Sequence, residues 1–251
     1  MSCGIGKKML SEILAAFIVV FFGLGSVVVA FLPKGAPTLT GLSDWLAVGF
    51  VFGIMALAVI YMLGKVSGCH LSPGVTIGLW ITKHISGKDA ILYIIAQLIG
   101  SIIATLLLYI VLPDPTVAAN FVAPNPGIDL LPTFVAEVVG AFALMSIIMG
   151  VAIDSKAEPG FAGISVGLTV TAIIVFLGPV TGAGITPIRY FGPYVLDLIV
   201  NGGSGLSYSI GILLPLYFIA TIVGSIIGAL LYAYLAKDTD VCELPSPYQN
   251  K

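Results

Sequence analysis

Residues 67–74 read Ser67-Gly68-Cys69-His70-Leu71-Ser72-Pro73-Gly74, and the same plan returns 114 positions later as Thr181-Gly182-Ala183-Gly184-Ile185-Thr186-Pro187-Ile188. Each copy interrupts an apolar stretch with small residues and then places a hydroxyl residue directly before a proline. Serine and threonine are preferred at the N-cap of a helix, and proline is preferred at the first helical position. Each copy therefore predicts an irregular loop that runs into the capped start of a helix.

The composition places the chain among membrane proteins. Of its 251 residues 59% are hydrophobic and 9% are charged, and the mean hydropathy is +1.13. A helix needs roughly 20 mostly apolar residues to cross a hydrocarbon core. The chain has six such stretches, at about 9–31, 44–63, 90–112, 130–153, 160–180 and 208–236. The three cysteines are scattered and predict neither a disulfide frame nor a metal site, and no nucleic-acid partner is expected.

The basic residues predict how the chain is oriented. With the N-terminus inside the cell, the inner segments hold eight lysines, and the outer segments hold only Lys34 and Arg189, the one arginine of the chain. Cytoplasmic segments carry an excess of lysine and arginine in membrane proteins. We therefore expect a multi-pass protein of the cell membrane, embedded in a lipid bilayer, with both termini in the cytoplasm.

The duplication extends through the predicted spans. Glu12 of the first span matches Glu137 of the fourth, and residues 93–103 of the third match residues 217–227 of the sixth. Four span glycines follow the 114-residue offset of the motifs: Gly49, Gly53, Gly163 and Gly167. Because each half has three spans, the halves enter the membrane from opposite sides, which is an inverted-topology repeat.

These boundaries predict one channel domain over residues 1–251. The first repeat covers residues 1–112, an outer connecting loop 113–132, the second repeat 133–236, and a cytoplasmic tail 237–251.

The apolar runs after the two prolines are too short to span. The first ends near Ile85 and the second fades by Asn201, so each predicts a re-entrant half-helix. We expect the half-helices to meet at the midplane through Ser72, Pro73, Gly74, Thr186, Pro187 and Ile188. Non-helical backbone at membrane depth must line water or be buried in protein. The backbone expected to line the passage belongs to Gly68, Cys69, His70, Leu71, Gly182, Gly184 and Ile185.

The chain resembles the aquaporin (major intrinsic protein) family, most closely the archaeal aquaporins, over essentially its whole length. The resemblance rests on the two motifs, on the continuation Arg189-Tyr190-Phe191-Gly192-Pro193, on both span glutamates and on the duplicated layout. It implies an all-α, right-handed bundle of six transmembrane helices plus two half-helices, which assembles as a homotetramer with one pore in each subunit. Family members usually carry Asn-Pro-Ala where this chain has Ser72-Pro73-Gly74 and Thr186-Pro187-Ile188.

The resemblance also implies roles for single residues. It places the selectivity filter at Phe52, Ile174, Ala183 and Arg189. It makes Glu12 and Glu137 buried supports that accept hydrogen bonds from the loops, with His70 as a loop brace. Water-selective members place a histidine where this chain has Ile174, and glycerol-selective members usually have an aspartate where it has Tyr190. The missing asparagines replace a two-donor amide with one rotating hydroxyl, although the capping role should persist.

The function that follows is a passive channel for water and small neutral solutes, such as glycerol-like molecules or dissolved gases, that excludes ions. No catalytic residue, cofactor or metal is expected. A secondary transporter also uses inverted repeats and broken helices, and it is the main alternative. An intramembrane enzyme would use Ser72 or Ser204 as nucleophile with His70 as base, and a non-conducting scaffold within the same fold is a further alternative.

Overall fold

The computed structural model describes residues 4–31, 42–112, 129–202 and 214–237. These residues form eight α-helices and one π-helical turn. The six long helices are α1 (Ile5–Phe31), α2 (Leu42–Ser67), α4 (Gly87–Val111), α5 (Leu130–Ile148), α6 (Ala162–Thr181) and α8 (Leu214–Ala236). The two short helices are α3 (Pro73–Ile81) and α7 (Pro187–Asn201), and the π-helical turn, Met149–Ile153, extends α5.

The six predicted spans are present as helices. Each long helix, with the π-helical turn included in the fourth, is long and apolar enough to cross a membrane. The first begins four residues earlier than predicted, at Ile5. Residues 208–213 of the predicted sixth span, the serine at position 204 and most of the connecting loop, 113–128, lie outside the described residues.

Both prolines begin short helices, and both are buried. The first half-helix ends at Ile81 and not near Ile85 as predicted. Its end is set by Lys83, which has a φ of 66°, and the amide of His84 turns back to donate to the carbonyl of Leu79 at 2.8 Å. A left-handed residue of this kind is a common way to stop a helix.

The helix contacts follow a two-fold pattern. Helix α1 packs on α2 and α4, and its counterpart α5 packs on α6 and α8. Each half-helix packs on a long helix of the other half, α3 on α8 and α7 on α4. Two further contacts, α2 with α6 and α3 with α7, join equivalent elements. This is the pattern expected when two repeats are related by a pseudo-two-fold axis.

Small residues allow the central pair of helices, α2 and α6, to approach closely. A Cβ added to Gly167 would lie 2.6 Å from the carbonyl oxygen of Gly53, and one added to Gly49 would lie 2.9 Å from the carbonyl oxygen of Thr171. The Thr171 hydroxyl donates to the carbonyl of Gly49 at 3.1 Å across this contact. Interfaces between membrane helices favour glycine because it lets backbones touch and leaves polar groups to bond across the gap.

Candidate functional site

The first loop is held by Glu12, a fully buried residue of α1. Its Oε1 accepts hydrogen bonds from the hydroxyl of Ser67 at 2.6 Å and from the amide of His70 at 3.0 Å. Its Oε2 accepts from the amide of Leu71 at 3.1 Å. The Ser67 hydroxyl in turn accepts from the amide of Cys69 at 3.0 Å. Glu12 therefore satisfies donors of a loop that has no ladder of its own, as buried backbone requires.

The second loop repeats this arrangement around Glu137, a fully buried residue of α5. Its Oε1 accepts from the hydroxyl of Thr181 at 2.6 Å and from the amide of Gly184 at 2.8 Å, and its Oε2 accepts from the amide of Ile185 at 2.7 Å. The Thr181 hydroxyl accepts from the amide of Ala183 at 3.1 Å. The two carboxylates therefore do the same structural work in the two halves.

The loop backbones turn through the left-handed region at equivalent positions. Their φ angles are +51° at Cys69 and +50° at Ala183, and +59° at Leu71 and +53° at Ile185. A non-glycine residue in this region costs roughly 1–2 kcal/mol, most of all when it is β-branched. The hydrogen bonds from the loop amides to the two glutamates hold this conformation in place.

A polar network beside the first loop was not predicted. The amide nitrogen of Gln97 donates to Glu12 Oε2 at 2.8 Å and to the hydroxyl of Thr76 at 3.1 Å. That hydroxyl lies 3.2 Å from Nδ1 of His70. The network braces the His70 ring from behind. The signal in the sequence is Gln97 itself, since an amide inside an apolar span must find polar partners.

A tyrosine from a long helix closes each loop. Tyr93 of α4 donates to the carbonyl of Ser67 at 2.8 Å, and Tyr217 of α8 donates to the carbonyl of Thr181 at 2.7 Å. Each loop is thus fixed on one side by a glutamate that accepts hydrogen bonds from its amides. On the other side it is fixed by a tyrosine hydroxyl that donates a hydrogen bond to one of its carbonyls.

The starts of the half-helices differ from the prediction in one respect. Ser72 and Thr186 do occupy the N-cap positions, with nearly identical φ and ψ angles of −143°, 133° and −142°, 135°. Neither side chain makes a capping hydrogen bond, however, and the Thr186 hydroxyl has no partner among the described residues. Both residues line a cavity.

Arg189 is the third residue of α7, and only 4% of its surface is exposed. The centre of its guanidinium, Cζ, is 5.1 Å from the ring centroid of Tyr190 and 5.9 Å from that of Phe52. One of its terminal nitrogens, Nη1, has no hydrogen-bond partner among the described residues. A buried cation therefore has an unused donor beside two aromatic rings.

One cavity of about 510 Å³ connects these features. Its lining includes Ser72 and Thr186 from the half-helix starts, and all four positions predicted for the filter: Phe52, Ile174, Ala183 and Arg189. The loop residues that line it are Gly68, Cys69, His70, Leu71, Gly184 and Ile185. Ile188 also lines it, whereas Pro73, Gly74 and Pro187 do not.

Gly182 is the predicted loop residue that the lining does not include. It closes the last turn of α6, where its amide donates to the carbonyl of Gly178 at 2.9 Å with a φ of +78°. Its left-handed conformation ends the helix, and the backbone that lines the cavity begins one residue later.

The far end of the cavity is bounded by the loop that follows the π-helical turn. Asp154 accepts from the hydroxyl of Tyr232 at 2.7 Å and from the amide of Lys156 at 2.8 Å. The hydroxyl of Tyr61 donates to the carbonyl of Gly160 at 2.6 Å. The amide bond, and then the Tyr232 bond, lower the pKa of Asp154 below its ordinary value, because both stabilise the charged carboxylate. This loop is therefore tied to α8 at one end and to α2 at the other.

Comparison with known proteins assigns a family to this arrangement. The sequence profile described as "Major intrinsic protein" matches residues 1–232. The chain is 42% identical over 249 residues to "Aquaporin AqpM" of Methanothermobacter marburgensis, covering 92% of this chain and 98% of that protein. It is 39% identical over 253 residues to "Probable aquaporin AqpM" of Archaeoglobus fulgidus, covering 95% of this chain and 100% of that protein.

A solved structure shares the fold. The X-ray structure of the aquaglyceroporin from Plasmodium falciparum superposes with a TM-score of 0.74 at 24% sequence identity, and the match covers 95% of this chain and 98% of that one. The likeness in fold therefore extends over nearly the whole chain.

Proposed function

Because this chain belongs to the major intrinsic protein family, we propose that its cavity is the pore of a passive channel for water and small neutral solutes that excludes ions. The observation that carries the proposal is the cavity itself. A single space of about 510 Å³ touches both half-helix starts, both loops and the buried Arg189. The family is one of channels and not of enzymes, so the hydroxyls and the imidazole in this space serve passage and not catalysis.

The narrow part of the pore is the ring of Phe52, Ile174, Ala183 and Arg189 in this proposal. Three of these side chains are apolar, and the fourth is a guanidinium cation. In this proposal the guanidinium of Arg189, which lines the cavity, donates to a passing oxygen atom, and its positive charge repels cations. A constriction with one polar side favours solutes that have a hydrogen-bond acceptor on one side and an apolar surface on the other. Water is small enough to pass through it as well.

The midplane lies between Ser72 and Thr186. Both residues line the cavity, and in this proposal their hydroxyls act on a solute as rotating donors and acceptors. The amides of both loops are directed to Glu12 and Glu137, so we assign the acceptor role along the pore to the loop carbonyls. A solute thus exchanges its water shell for carbonyls, two hydroxyls and Arg189.

We also propose the family's membrane arrangement for this chain. In this proposal both termini, and the mouth lined by Asp154, lie in the cytoplasm of a cell-membrane protein, which the excess of lysine on that side supports. The long helices expose many large apolar side chains, among them Phe50, Phe176 and Ile110. Lipid and neighbouring subunits of a homotetramer would cover these faces.

Light scattering by proteoliposomes tests the channel function. Shrinkage in an impermeant osmolyte reports water flux, and recovery in glycerol or urea reports solute flux. We expect passive, non-saturating flux of both, with no proton current in a pH-dye assay. Saturable uptake that depends on an ion gradient would instead identify a secondary transporter.

The filter role has its own variant. Arg189→Ala should raise glycerol and urea flux several-fold relative to water and should admit ions, because it removes both bulk and charge. Lys88→Ala, which removes an exposed cation at the start of α4, is the matched control and should change neither. An unchanged order of solutes in Arg189→Ala would count against the filter.

A further inference from the structure

A second aromatic ring packs against the tyrosine that bonds to each loop, and this ring comes from a different element in each half. In the first half, the ring of His70, a loop residue, packs 4.9 Å from the ring of Tyr93 at 59°. In the second half, the ring of Tyr190, a residue of α7, stacks on Tyr217 at 3.9 Å and 22°. The ring that packs on the tyrosine therefore belongs to the loop in the first half and to the half-helix in the second half.

The space around the second loop shows why only one ring fits. Position 184 is equivalent to position 70 and holds glycine. A Cβ added to Gly184 would lie 2.8 Å from the hydroxyl oxygen of Tyr190, which already fills the volume. Position 76, equivalent to 190, holds the small Thr76, which leaves room for His70.

The exchange changes what lies beside the cation of the filter. Tyr190 follows Arg189 in the chain and is fully buried, and its ring centroid lies 5.1 Å from the guanidinium Cζ. On the cavity side the guanidinium meets Phe52 at 5.9 Å. The Tyr190 ring is itself clamped by Tyr217, so it presents a fixed aromatic surface to the cation.

We propose that Tyr190 is a positioning residue for the selectivity filter. Its ring, held against Tyr217, fixes how far the guanidinium of Arg189 extends into the cavity, and it thereby sets the ratio of solute to water permeability. This inference rests on the proposed filter role of Arg189. The hydroxyl of Tyr190 is secondary, because its bond to the Thr181 carbonyl is long, at 3.4 Å.

Three variants separate positioning from structural support. Tyr190→Thr removes the ring and should raise the glycerol-to-water permeability ratio by at least about threefold, and it should also lower the thermal midpoint. Tyr190→Phe keeps the ring and should match the wild type in both. Gly184→His combined with Tyr190→Thr transplants the first-half arrangement. It should recover the thermal midpoint, because a ring again packs on Tyr217, while the permeability ratio stays raised.

The outcomes are distinct. A ratio that returns to the wild-type value in the combined variant would overturn the proposal, because a ring on Tyr217 would then be sufficient. An unchanged ratio in a folded Tyr190→Thr protein would also overturn it. If Tyr190→Thr does not reach the membrane, Tyr190→Leu keeps the buried apolar volume without an aromatic face and is held to the same criterion.

Variants made in the Arg189→Ala background distinguish the positioning role of Tyr190 from the filter role of Arg189. In Arg189→Ala protein, Tyr190→Leu should leave the permeability ratio unchanged, since the group that Tyr190 positions is absent. If Arg189→Ala alone has no effect on selectivity, the filter assignment fails. If Arg189→Ala alters selectivity and the Tyr190 variants in the native background do not, only the positioning role fails.

Discussion

The two loop-and-half-helix units share a backbone and differ in the side chains that surround it. Their left-handed φ angles agree within six degrees at the two non-glycine positions of each loop, and their N-cap angles agree within two. Each unit donates three hydrogen bonds to a buried glutamate, from one side-chain hydroxyl and two loop amides at equivalent positions. The side chains nearby then diverge, since Arg189 stands where the first half has Val75.

The divergence follows a division of labour. The first unit is braced by hydrogen bonds among Gln97, Thr76 and His70, and the second by the stacked rings of Tyr190 and Tyr217. In the first half the His70 ring lies at the cavity wall, whereas in the second half the Tyr190 ring lies beside Arg189. The duplicated backbone lines the cavity, and the different contacts around it make the two halves chemically different.

The largest expected effect separates the two glutamates. Glu12→Gln should lower the free energy of unfolding by about 3 kcal/mol or more, because the new amide cannot accept from all the donors that face it and brings donors of its own. Glu137→Gln should cost less, since Glu12 also accepts from the amide of Gln97, whereas Glu137 accepts from no side-chain amide among the described residues. Denaturation of the purified protein in detergent measures both.

Glu158→Gln, in the exposed loop at the mouth, serves as the control and should be neutral. Equal losses in the two buried variants would show that the Gln97 network adds nothing to the first half.

The next effect concerns equivalent glycines of the half-helices. A Cβ on Gly192 would press on the backbone of Ser101, with its carbonyl carbon 2.8 Å away, whereas a Cβ on Gly78 would meet the flexible end of Met145 at 2.9 Å. We therefore expect Gly192→Ala to cost roughly 2–3 kcal/mol of stability and Gly78→Ala less than about 1 kcal/mol. Thermal unfolding of the two variants compares them directly, and a larger loss at position 78 would contradict this reading of the contacts.

A smaller effect is expected at the midplane. Ser72→Asn and Thr186→Asn would each put a two-donor amide where a hydroxyl now stands, and the pair should raise water permeability by roughly twofold if the amides orient water better. Stopped-flow scattering measures the rate, with Ser72→Thr as a control that keeps a hydroxyl. No change in the double variant would show that the hydroxyls already suffice.

The smallest effect is expected in the loop that follows the π-helical turn, at the end of the cavity. The counterpart of this loop in the first half, residues 32–41, lies outside the described residues. The pKa of Asp154 is lowered on folding, so its contribution to stability is complete above its ordinary pKa of about 3.9 and is lost as the pH falls through the lower folded value. The thermal midpoint should therefore be flat with respect to this group from about pH 5 to pH 8.

Tyr232→Phe should lower that midpoint slightly in the same range and weaken its dependence on acid, because the carboxylate loses a donor. Tyr234→Phe, on the exposed face of the same helix, is the matched control. A midpoint that changes between pH 5 and pH 8 in the wild type but not in Tyr232→Phe would contradict the assignment.

The repeat explains why so much of the framework could be predicted from sequence. Glu12 and Glu137 could be paired by their positions in the duplicated spans, the resemblance to the family implied that they accept hydrogen bonds from the loops, and the two proline positions marked both short helices. Duplication gives each residue an internal control, so a pattern present twice carries a structural requirement. The apolar spans followed from length and hydropathy alone.

The remaining features depend on side-chain geometry that no repeat records. Gln97 has Thr221 as its counterpart, so comparison of the halves does not mark it, although it is buried and bonded. The failure of Ser72 and Thr186 to cap their helices is a matter of rotamer choice. The stack of Tyr190 on Tyr217 requires two helix faces to be known at once, and the π-helical turn has no signature in its residues.

That turn has a consequence for how the family's sequences vary. A π-helical turn carries one more residue than the α-helical turn it replaces. Deleting one of residues 149–153 would therefore leave a regular helix with the following residues in nearly the same orientation, because an α-helical turn covers the same angle with one residue fewer. A one-residue gap at this turn would keep Asp154 beside Tyr232, whereas the same gap in a regular stretch of α5 would rotate everything that follows by about 100°.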